Sequence, residues 1–263
     1  MNFNSDYKLP SFFRRVISVW YRHAKVYISD FWSNAFPPFF EPLIMLVGLG
    51  FGLGEYIQSM GNVSYILFLA SGLIVTSAMF TAAYECTYGT LIRLDFDEIY
   101  DGMLGAPLST DDLIIGEILF AGTKGIFFSL AVLIVVWIAG VISYPLSILT
   151  LLVGFLTGIM FGALSMFITS FVKNINNFNF YFTGLLSPMF FFSGVVFPVE
   201  KLPAAFAVVA EVVPLTHLVR LARAFCIPGS INTNLLYDLL YCIVFIVVTG
   251  WLALRGLKRR MIV

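Results

Sequence analysis

The chain has 263 residues, of which 60% are hydrophobic and only 11% are charged, and its formal net charge is zero. A soluble domain carries roughly 25% charged residues, so this composition excludes a water-soluble globule and indicates that lipid surrounds much of the chain. The balanced charge gives no indication of a nucleic-acid partner. Three scattered cysteines exclude a disulfide framework and show no metal-type spacing.

Residues 1–35 are predicted to form a cytoplasmic N-terminal segment with an amphipathic helix over residues 11–30. Its apolar stripe contains Phe12, Val16, Val19, Trp20 and Tyr27. Its opposite face contains Arg14, Arg15, Arg22 and Lys25. A basic helix with aromatic residues on its apolar side is expected to lie in the plane of the membrane interface. Two interpretations stay open: a simple topogenic anchor, or a lever that connects the membrane helices to something beneath them.

Six stretches are long and apolar enough to cross a membrane, which takes roughly 20 residues of helix. They are residues 36–56, 65–84, 113–142, 146–172, 178–197 and 235–257. Hydrogen bonding restricts lipid-exposed backbone to helices or closed barrels, and continuous apolar runs favour helices. The predicted fold is therefore an all-α membrane protein, with a six-helix transmembrane domain over residues 36–263.

The positions of lysine and arginine predict that both termini are cytoplasmic, because these residues concentrate in cytoplasmic segments near span ends. Basic residues precede the first span and follow the last one: Lys8, Arg14, Arg15, Arg22 and Lys25, then Arg255, Lys258, Arg259 and Arg260. Two basic ends on one side of the membrane require an even number of spans. This agrees with six.

The largest polar stretch, residues 85–112, is predicted to be a cytoplasmic loop. It contains a single arginine, Arg93, among Asp95, Asp97, Glu98, Asp101, Asp111 and Asp112. Its centre, residues 97–109, has the pattern of a short helix followed by a turn, after which Ser109 or Thr110 can cap the next helix. A solvated acidic connector is one interpretation. The interpretation we favour is a protruding amphipathic helix that docks a cytoplasmic partner.

Residues 198–230 are predicted to form a re-entrant hairpin at the outer face. Residues 202–213 and 215–227 are apolar but each span only about half a bilayer as a helix. Prolines punctuate them: Pro198, Pro203, Pro214 and Pro228. Broken backbone at membrane depth survives only where protein buries it or it lines a wet cavity. An amphipathic pair lying on the outer surface is the alternative.

Isolated ionisable residues lie in or beside the spans: Glu41, Glu85, Glu117, Lys124 and Asp238. We interpret each as snorkelling to water or pairing locally rather than as part of a transport pathway. Glu117 and Lys124 are too far apart along one helix to pair directly. His217 is interpreted as a structural hydrogen-bonding residue. No catalytic residue, metal site or ATP-binding P-loop is predicted in this chain.

Together these features resemble a type-2 ABC exporter permease. The resemblance covers nearly the whole chain. Four segments carry it: residues 39–54 (FFEPLIMLVGLGFGLG), 101–109 (DGMLGAPLS), 191–203 (FFSGVVFPVEKLP) and 214–223 (PLTHLVRLAR). The Pro-Leu-Thr-His sequence and the glycines of the first span look closest to the branch that contains the nodulation lipo-oligosaccharide exporters.

The resemblance implies a non-catalytic subunit of the bacterial plasma (inner) membrane that works as a homodimer. ATP and Mg²⁺ would be bound by a separate cytoplasmic subunit, and the substrate would be an amphiphile such as a lipid-linked glycan or a drug. Docking to the ATPase would fall on Glu98, Asp101, Gly102, Pro107 and Ser109. The interface helix would contribute Arg14, Arg15 and Arg22. The hairpin would close the outer end of the pathway through Pro198, Pro203, Pro214, His217 and Arg220.

Two other classes of function stay open. An integral membrane enzyme acting on lipid-linked substrates would need convergent carboxylates, histidines or a metal cluster, and only the acidic loop comes close to this. An ion-coupled secondary transporter would need several ionisable groups together at mid-membrane depth, an arrangement the sequence does not indicate.

Overall fold

A computed structural model describes residues 10–35, 40, 44–57, 59–60, 63–231 and 234–261. This part of the chain is mostly helical, which confirms the predicted class. Its small sheet consists of two antiparallel strands, Ser59–Met60 (β1) and Val63–Ser64 (β2).

The amphipathic helix predicted near the N-terminus is present as α1, Phe12–Ser29, and a short α2, Phe31–Ala35, follows it. It buries Val16, Val19 and His23 against the rest of the protein. Phe12 does not join this stripe, since it is 52% exposed. Trp20 donates to Thr123 and Tyr27 packs on Phe120, so the predicted stripe is shortened only at its start.

The predicted first span, residues 36–56, lies partly outside the described residues. Its described part contains a π-helical turn, Leu46–Phe51, that continues into Gly52–Gly54; together these form α3.

Four helices of the described chain are long and apolar enough to cross a membrane. They are α4 (Tyr65–Phe96), α6 (Thr110–Ile138), α7 (Pro145–Thr169) and α11 (Asn234–Met261), and the short helix α5 (Ile99–Leu104) lies between the first two. Each of these four long helices corresponds to one of the six predicted spans. The predicted span at residues 178–197 contains α8, residues 178–192, in three short pieces with a π-helical turn, Phe182–Leu186, in the middle.

The helix predicted to end at residue 84 continues to Phe96 through two π-helical turns, Glu85–Gly89 and Ile92–Phe96. The polar side chains that suggested a loop are paired inside the bundle, so they do not force the chain out of the helix. The connection between α4 and α6 is therefore shorter than predicted. Ser109 caps α6 as predicted, and Asp112 completes a capping box with it.

The predicted hairpin is a helix pair, α9 (Ala204–Val212) and α10 (Pro214–Cys226), bent by 85° at Val213. Proline fits the first position of a helix because the N–H it lacks would have no partner there. This explains the break at Pro214. Most of α10 is buried, whereas α9 leaves Val208 and Val212 exposed. If the pair counts as one span, the number of crossing helices in the described chain rises to five.

Helices α6 and α7 approach each other through glycine. A Cβ atom on Gly125 would lie 2.3 Å from the carbonyl oxygen of Gly154. One on Gly158 would lie 2.5 Å from the carbonyl oxygen of Ala121. Both distances are shorter than any real Cβ contact. The two helix backbones can therefore pack this closely only because glycine, which has no Cβ atom, occupies these positions.

We expect Gly158→Ala to destabilise the protein by about 1–3 kcal/mol, because the added methyl group meets backbone that cannot rotate away. Gly250→Ala in α11 is the matched control, since a Cβ atom there would meet nothing within 4 Å. The control should shift stability by no more than about 1 kcal/mol. Thermal unfolding in detergent measures both, and equal midpoints for the two variants would contradict the close approach.

Candidate functional site

The predicted site residues lie at two opposite ends of α4. We call the end that contains residues 97–109 the loop end. The end that contains α9 and α10 is called the hairpin end.

At the loop end, α5 packs against both the interface helix and the start of α6. Tyr100 is buried and forms a small apolar core with Val19 of α1 and Leu113 of α6. The opposite side of this segment is exposed, and it includes Asp97, Glu98, Asp101, Gly102 and Pro107. The geometry thus brings together the interface helix and the segment of residues 97–109, which the sequence predicted separately.

Three of the six acidic residues between positions 95 and 112 form ion pairs inside the molecule. Asp95 accepts a hydrogen bond from Arg260 at 2.5 Å, and the Asp111 carboxylate lies 3.2 Å from the Lys258 ammonium. Asp112 accepts one from Arg15 Nε at 2.7 Å. Asp97, Glu98 and Asp101 have no ion pair with the described residues. The acidic surface that a partner could meet is therefore narrower than the loop composition suggested.

Two predicted docking residues have particular local structures. Ser109 is exposed, yet its hydroxyl serves the N-cap of α6, 2.7 Å from Asp112 Oδ2. Glu98 has a φ of 50°, in the left-handed region that non-glycine residues seldom occupy. The backbone turns there from α4 into α5.

The three interface-helix arginines have different environments. Arg14 is exposed, as predicted. Arg15, predicted to face away from the bundle, turns inward to Asp112, because that carboxylate at the start of α6 offers a strong acceptor. Arg22 is partly buried, and desolvation lowers the pKa of its guanidinium.

Beneath α5 lies a buried charge cluster of Glu85, Arg93, Glu117 and Lys124. Arg93 bridges both carboxylates: its Nη1 lies 2.8 Å from Glu85 Oε1, and its Nη2 donates to Glu117 Oε1. Lys124 Nζ lies 2.8 Å from the other Glu85 oxygen, Oε2. Two carboxylates and two cations balance each other, as a buried set of charges requires.

Tyr100 connects this cluster to the exposed loop, because its hydroxyl donates to Glu117 Oε2. Burial and the adjacent carboxylate raise the pKa of Tyr100 well above its usual range, so the phenol stays protonated as a donor. One side chain of α5 therefore contacts a charge network that spans α4 and α6.

The cluster also borders His23, which with Glu85 and Glu117 could offer ligand atoms within 4.8 Å of one another. Both carboxylates are already bound to Arg93 or Lys124. The arrangement fits an ion-pair network better than a metal site.

The sequence predicted snorkelling or local pairing for the isolated charges, and the structure shows pairing for the described ones. Glu41 lies outside the described residues. The sequence did not predict that the pairs of Glu85, Glu117 and Lys124 form one cluster. Glu117 and Lys124 do not contact each other directly, as predicted. They are linked through Glu85 and Arg93 of α4, whose positions were assigned to a loop. The sequence did contain a signal for this cluster: single acidic and basic residues recur in otherwise apolar helices.

At the hairpin end, His217 is buried and uses both ring nitrogens. Its Nδ1 lies 2.7 Å from Asp238 Oδ1 of α11, and its Nε2 lies 3.0 Å from the backbone carbonyl of Glu211 in α9. Tyr241 stacks on the ring at 3.9 Å and donates to the carbonyl of Val212 at 2.6 Å. His217 makes the structural contacts predicted for it. Asp238 as its carboxylate partner was missed.

Two arginines of α10 complete this end. Arg220 Nη1 donates to Glu211 Oε2 at 2.8 Å, which closes α10 onto α9. Arg223 donates to the carbonyl of Gly194 at 2.5 Å and lies 3.6 Å from the centre of the Phe68 ring. Both border a cavity of about 990 Å³ between the hairpin, α4 and α11. Pro198, Pro203 and Pro214 each stand at the start of a helical segment of this end.

The matches to known proteins decide the family. Residues 14–227 match the ABC-2 type transporter family. The chain belongs to this family. The match confirms the resemblance to a type-2 ABC exporter permease, and it makes the chain the membrane part of a transporter.

Relatives of this ABC-2 transporter chain cover most or all of its length. Nodulation protein J of Rhizobium leguminosarum bv. trifolii is 32% identical over 262 residues, which is 100% of both chains. Nodulation protein J of Rhizobium leguminosarum bv. viciae is 33% identical over 93% of this chain and 94% of the relative. The inner membrane transport permease YadH of Escherichia coli (strain K12) is 22% identical over 77% and 78%. The likeness to nodulation proteins agrees with the predicted branch.

The ABC-2 match ends at residue 227, before α11 begins, yet α11 completes both ends of the structure. It provides Asp238 for His217 at the hairpin end. At the loop end it provides Lys258 for Asp111 and Arg260 for Asp95. Helix α11, which lies outside the matched residues 14–227, therefore contacts the matched part at both of its ends.

Proposed function

We propose that this ABC-2 transporter chain is the membrane-spanning permease subunit of an ATP-driven exporter. It moves an amphiphilic, lipid-linked glycan or a drug-like substrate outward. A separate cytoplasmic subunit binds ATP and Mg²⁺ and hydrolyses the nucleotide. Two copies of the chain form a homodimer around the pathway, each with six spans and both termini in the cytoplasm.

The location and orientation have two supports. The Escherichia coli relative is named an inner membrane transport permease, and we place this chain in the bacterial plasma (inner) membrane. Most lysines and arginines of the described chain lie in α1, in the segment after α7 or at the end of α11, all of which belong to the loop end. The loop end is therefore cytoplasmic, and the hairpin re-enters the membrane from outside.

The observation that carries the proposal is the packing of α5 between the interface helix and the buried charge cluster. Docking of an ATPase on the exposed side of α5 would push on Tyr100. Tyr100 contacts Glu117 of α6, and Arg93 links Glu117 to α4. A displacement of α5 would therefore be transmitted to α4 and α6, which are membrane-spanning helices, through hydrogen bonds rather than through a flexible loop.

At the other end, the hairpin is the outer gate. His217 and Arg220 fix the bend between α9 and α10, and Asp238 ties that bend to α11. Opening would require α10 to separate from α11, which breaks one compact set of contacts. Amphiphilic cargo would leave beside this hairpin.

The docking role is tested by reversing charge on the exposed side of α5. The acidic docking surface implies a basic cleft on the ATPase. We therefore expect Glu98→Lys combined with Asp101→Lys to weaken co-purification with the cognate P-loop ATPase subunit at least tenfold, since like charges across an interface cost several kcal/mol. The thermal unfolding midpoint should not change, because neither carboxylate has an internal ion-pair partner among the described residues.

Glu55→Lys is the matched control for that experiment, because Glu55 is an exposed acid near the opposite end of α4. It should leave the association unchanged. Full binding by the Glu98/Asp101 variant would refute the docking surface. ATP hydrolysis by the purified chain alone would refute the assignment as a non-catalytic subunit.

The buried charge cluster bears on one alternative function, an ion-coupled transporter. Ion coupling needs a carboxylate that releases its bound proton or cation during transport. Both carboxylates here are held by Arg93 or Lys124, which does not favour that mechanism. Substrate movement driven by a pH gradient in vesicles without ATP would reverse this conclusion.

A further inference from the structure

A cleft of about 550 Å³ opens between the loop-end halves of α7 and α11. The two helices touch closely beside it: a Cβ atom on Gly256 would lie 2.3 Å from Ser170 Oγ. The cleft therefore lies beside a point where the two helices are in direct contact.

The cleft carries three basic side chains that have no ion-pair partner among the described residues. Lys173, Arg255 and Arg259 line it and are exposed, and none of them forms an ion pair within the part of the chain that the structure describes. Arg260 also borders the cleft, but it is bound to Asp95 and to the carbonyls of Thr169 and Val172. No acidic residue occurs among the described residues that line the cleft.

The remaining walls are aromatic and face outward. Trp251 is 50% exposed and Phe171 is 67% exposed. The guanidinium of Arg255 lies 3.8 Å from the centre of the Trp251 ring, a cation–π contact that fixes its position while leaving its N–H donors available. Tryptophan prefers the boundary between hydrocarbon and headgroups. The cleft therefore has a cationic part beside a lipid-facing apolar part.

We propose that this cleft binds the phosphate-bearing headgroup of an anionic phospholipid from the leaflet at the loop end. Arg255 and Arg259, one helical turn apart, donate to the phosphate oxygens, and Lys173 approaches from the end of α7. The acyl chains lie along Phe171 and Trp251. Basic clefts between transmembrane helices bind such headgroups because several donors converge on one phosphate.

Membrane orientation alone does not account for this arrangement. The positive-inside rule depends on the number of basic residues near span ends, not on their convergence. Here cations from two separate chain segments converge on one cleft. Lys258, on the same turn of α11, points instead to Asp111 outside the cleft.

The test uses Trp251 as a reporter in the purified full-length protein. Brominated phosphatidylglycerol and brominated phosphatidylcholine are titrated into the detergent-solubilised protein. The Trp251 signal is the fluorescence of the parent minus that of Trp251→Phe. We expect phosphatidylglycerol to quench it at a concentration at least about tenfold lower than phosphatidylcholine, since each basic residue near the lipid contributes about a factor of five.

Arg255→Gln combined with Arg259→Gln should abolish that preference. Arg14→Gln combined with Lys25→Gln removes the same charge from exposed positions of α1 at the same end and should preserve it. Equal quenching by the two lipids, or a preference that survives the Arg255/Arg259 variant, would overturn the proposal. Inorganic phosphate at millimolar concentration should not displace the lipid. If it does, the site holds a free anion, and the lipid assignment is wrong.

Discussion

Replacing Arg93 by methionine is expected to lower the free energy of unfolding by about 3–5 kcal/mol, the usual cost of removing one partner from a buried ion pair. Arg93 is the only cation that contacts Glu117 in the described structure, and it shares Glu85 with Lys124. Without it the Glu117 carboxylate stays buried with Tyr100 and Thr90 as its hydrogen-bond donors. A neutral donor does not offset a buried charge.

A second substitution separates the lost charge balance from lost packing. In the double variant Arg93→Met, Glu117→Gln, the cluster retains one carboxylate, Glu85, and one cation, Lys124. Glutamine also keeps an acceptor for Tyr100. We therefore expect the double variant to recover much of the stability lost by Arg93→Met. The coupling between the two positions should exceed the roughly 0.5 kcal/mol within which independent sites add.

Lys258→Gln is the control, because it breaks the exposed pair with Asp111 at the same end of the protein. Exposed pairs contribute about 0–1 kcal/mol, so this variant should unfold close to the parent. Thermal and denaturant unfolding in detergent measure five proteins: the parent, Arg93→Met, Glu117→Gln, the double variant and Lys258→Gln. A double variant that is less stable than Arg93→Met would contradict the charge-balance explanation.

Much of the fold could be predicted because its determinants are local. Continuous apolar runs located α4, α6, α7 and α11, and each of these helices begins or ends within a few residues of the prediction except at the end of α4. The alternation of basic and apolar residues located α1. Pro214 located the bend between α9 and α10, since proline acts on the residues next to it.

The charge cluster could not be predicted, because its determinants are not local. Glu85 and Arg93 were assigned to a loop because charged residues seldom continue a membrane helix. They remain helical because Glu117 and Lys124 of α6 neutralise them, and such pairing depends on which helices become neighbours. The inward turn of Arg15 towards Asp112 has the same cause: hydrophobic periodicity places a side chain on a face but does not identify its partner.

The His217–Asp238 contact leads to the second large effect. Both His217 ring nitrogens face oxygens that only accept hydrogen bonds, the Asp238 carboxylate and the Glu211 carbonyl. His217→Phe keeps an aromatic ring against Tyr241 but removes both nitrogens and with them both contacts. The Asp238 carboxylate is then left buried, with Arg220 at 3.7 Å as the nearest cation in the described structure.

We expect this change to loosen the hairpin rather than to unfold the whole protein, because the contacts that it removes join α10 only to α9 and α11. Cys226, at the end of α10, and Cys242, one residue after Tyr241, are buried free thiols that report on this separation. Cys86 is buried near the opposite end of α4 and reports on global unfolding.

Maleimide labelling of single-cysteine versions measures the effect. His217→Phe should raise the labelling rates of Cys226 and Cys242 at least tenfold, which corresponds to about 1.4 kcal/mol of easier local opening. The rate for Cys86 should stay unchanged. Arg220→Gln removes the partly exposed contacts with Glu211 and Asp238 but leaves the contacts of His217 in place, so it should raise the rates by a smaller factor than His217→Phe. If all three thiols react faster together, His217 stabilises the whole fold. If none does, the contact between α10 and α11 does not hold the hairpin closed, and His217 is not part of an outer gate.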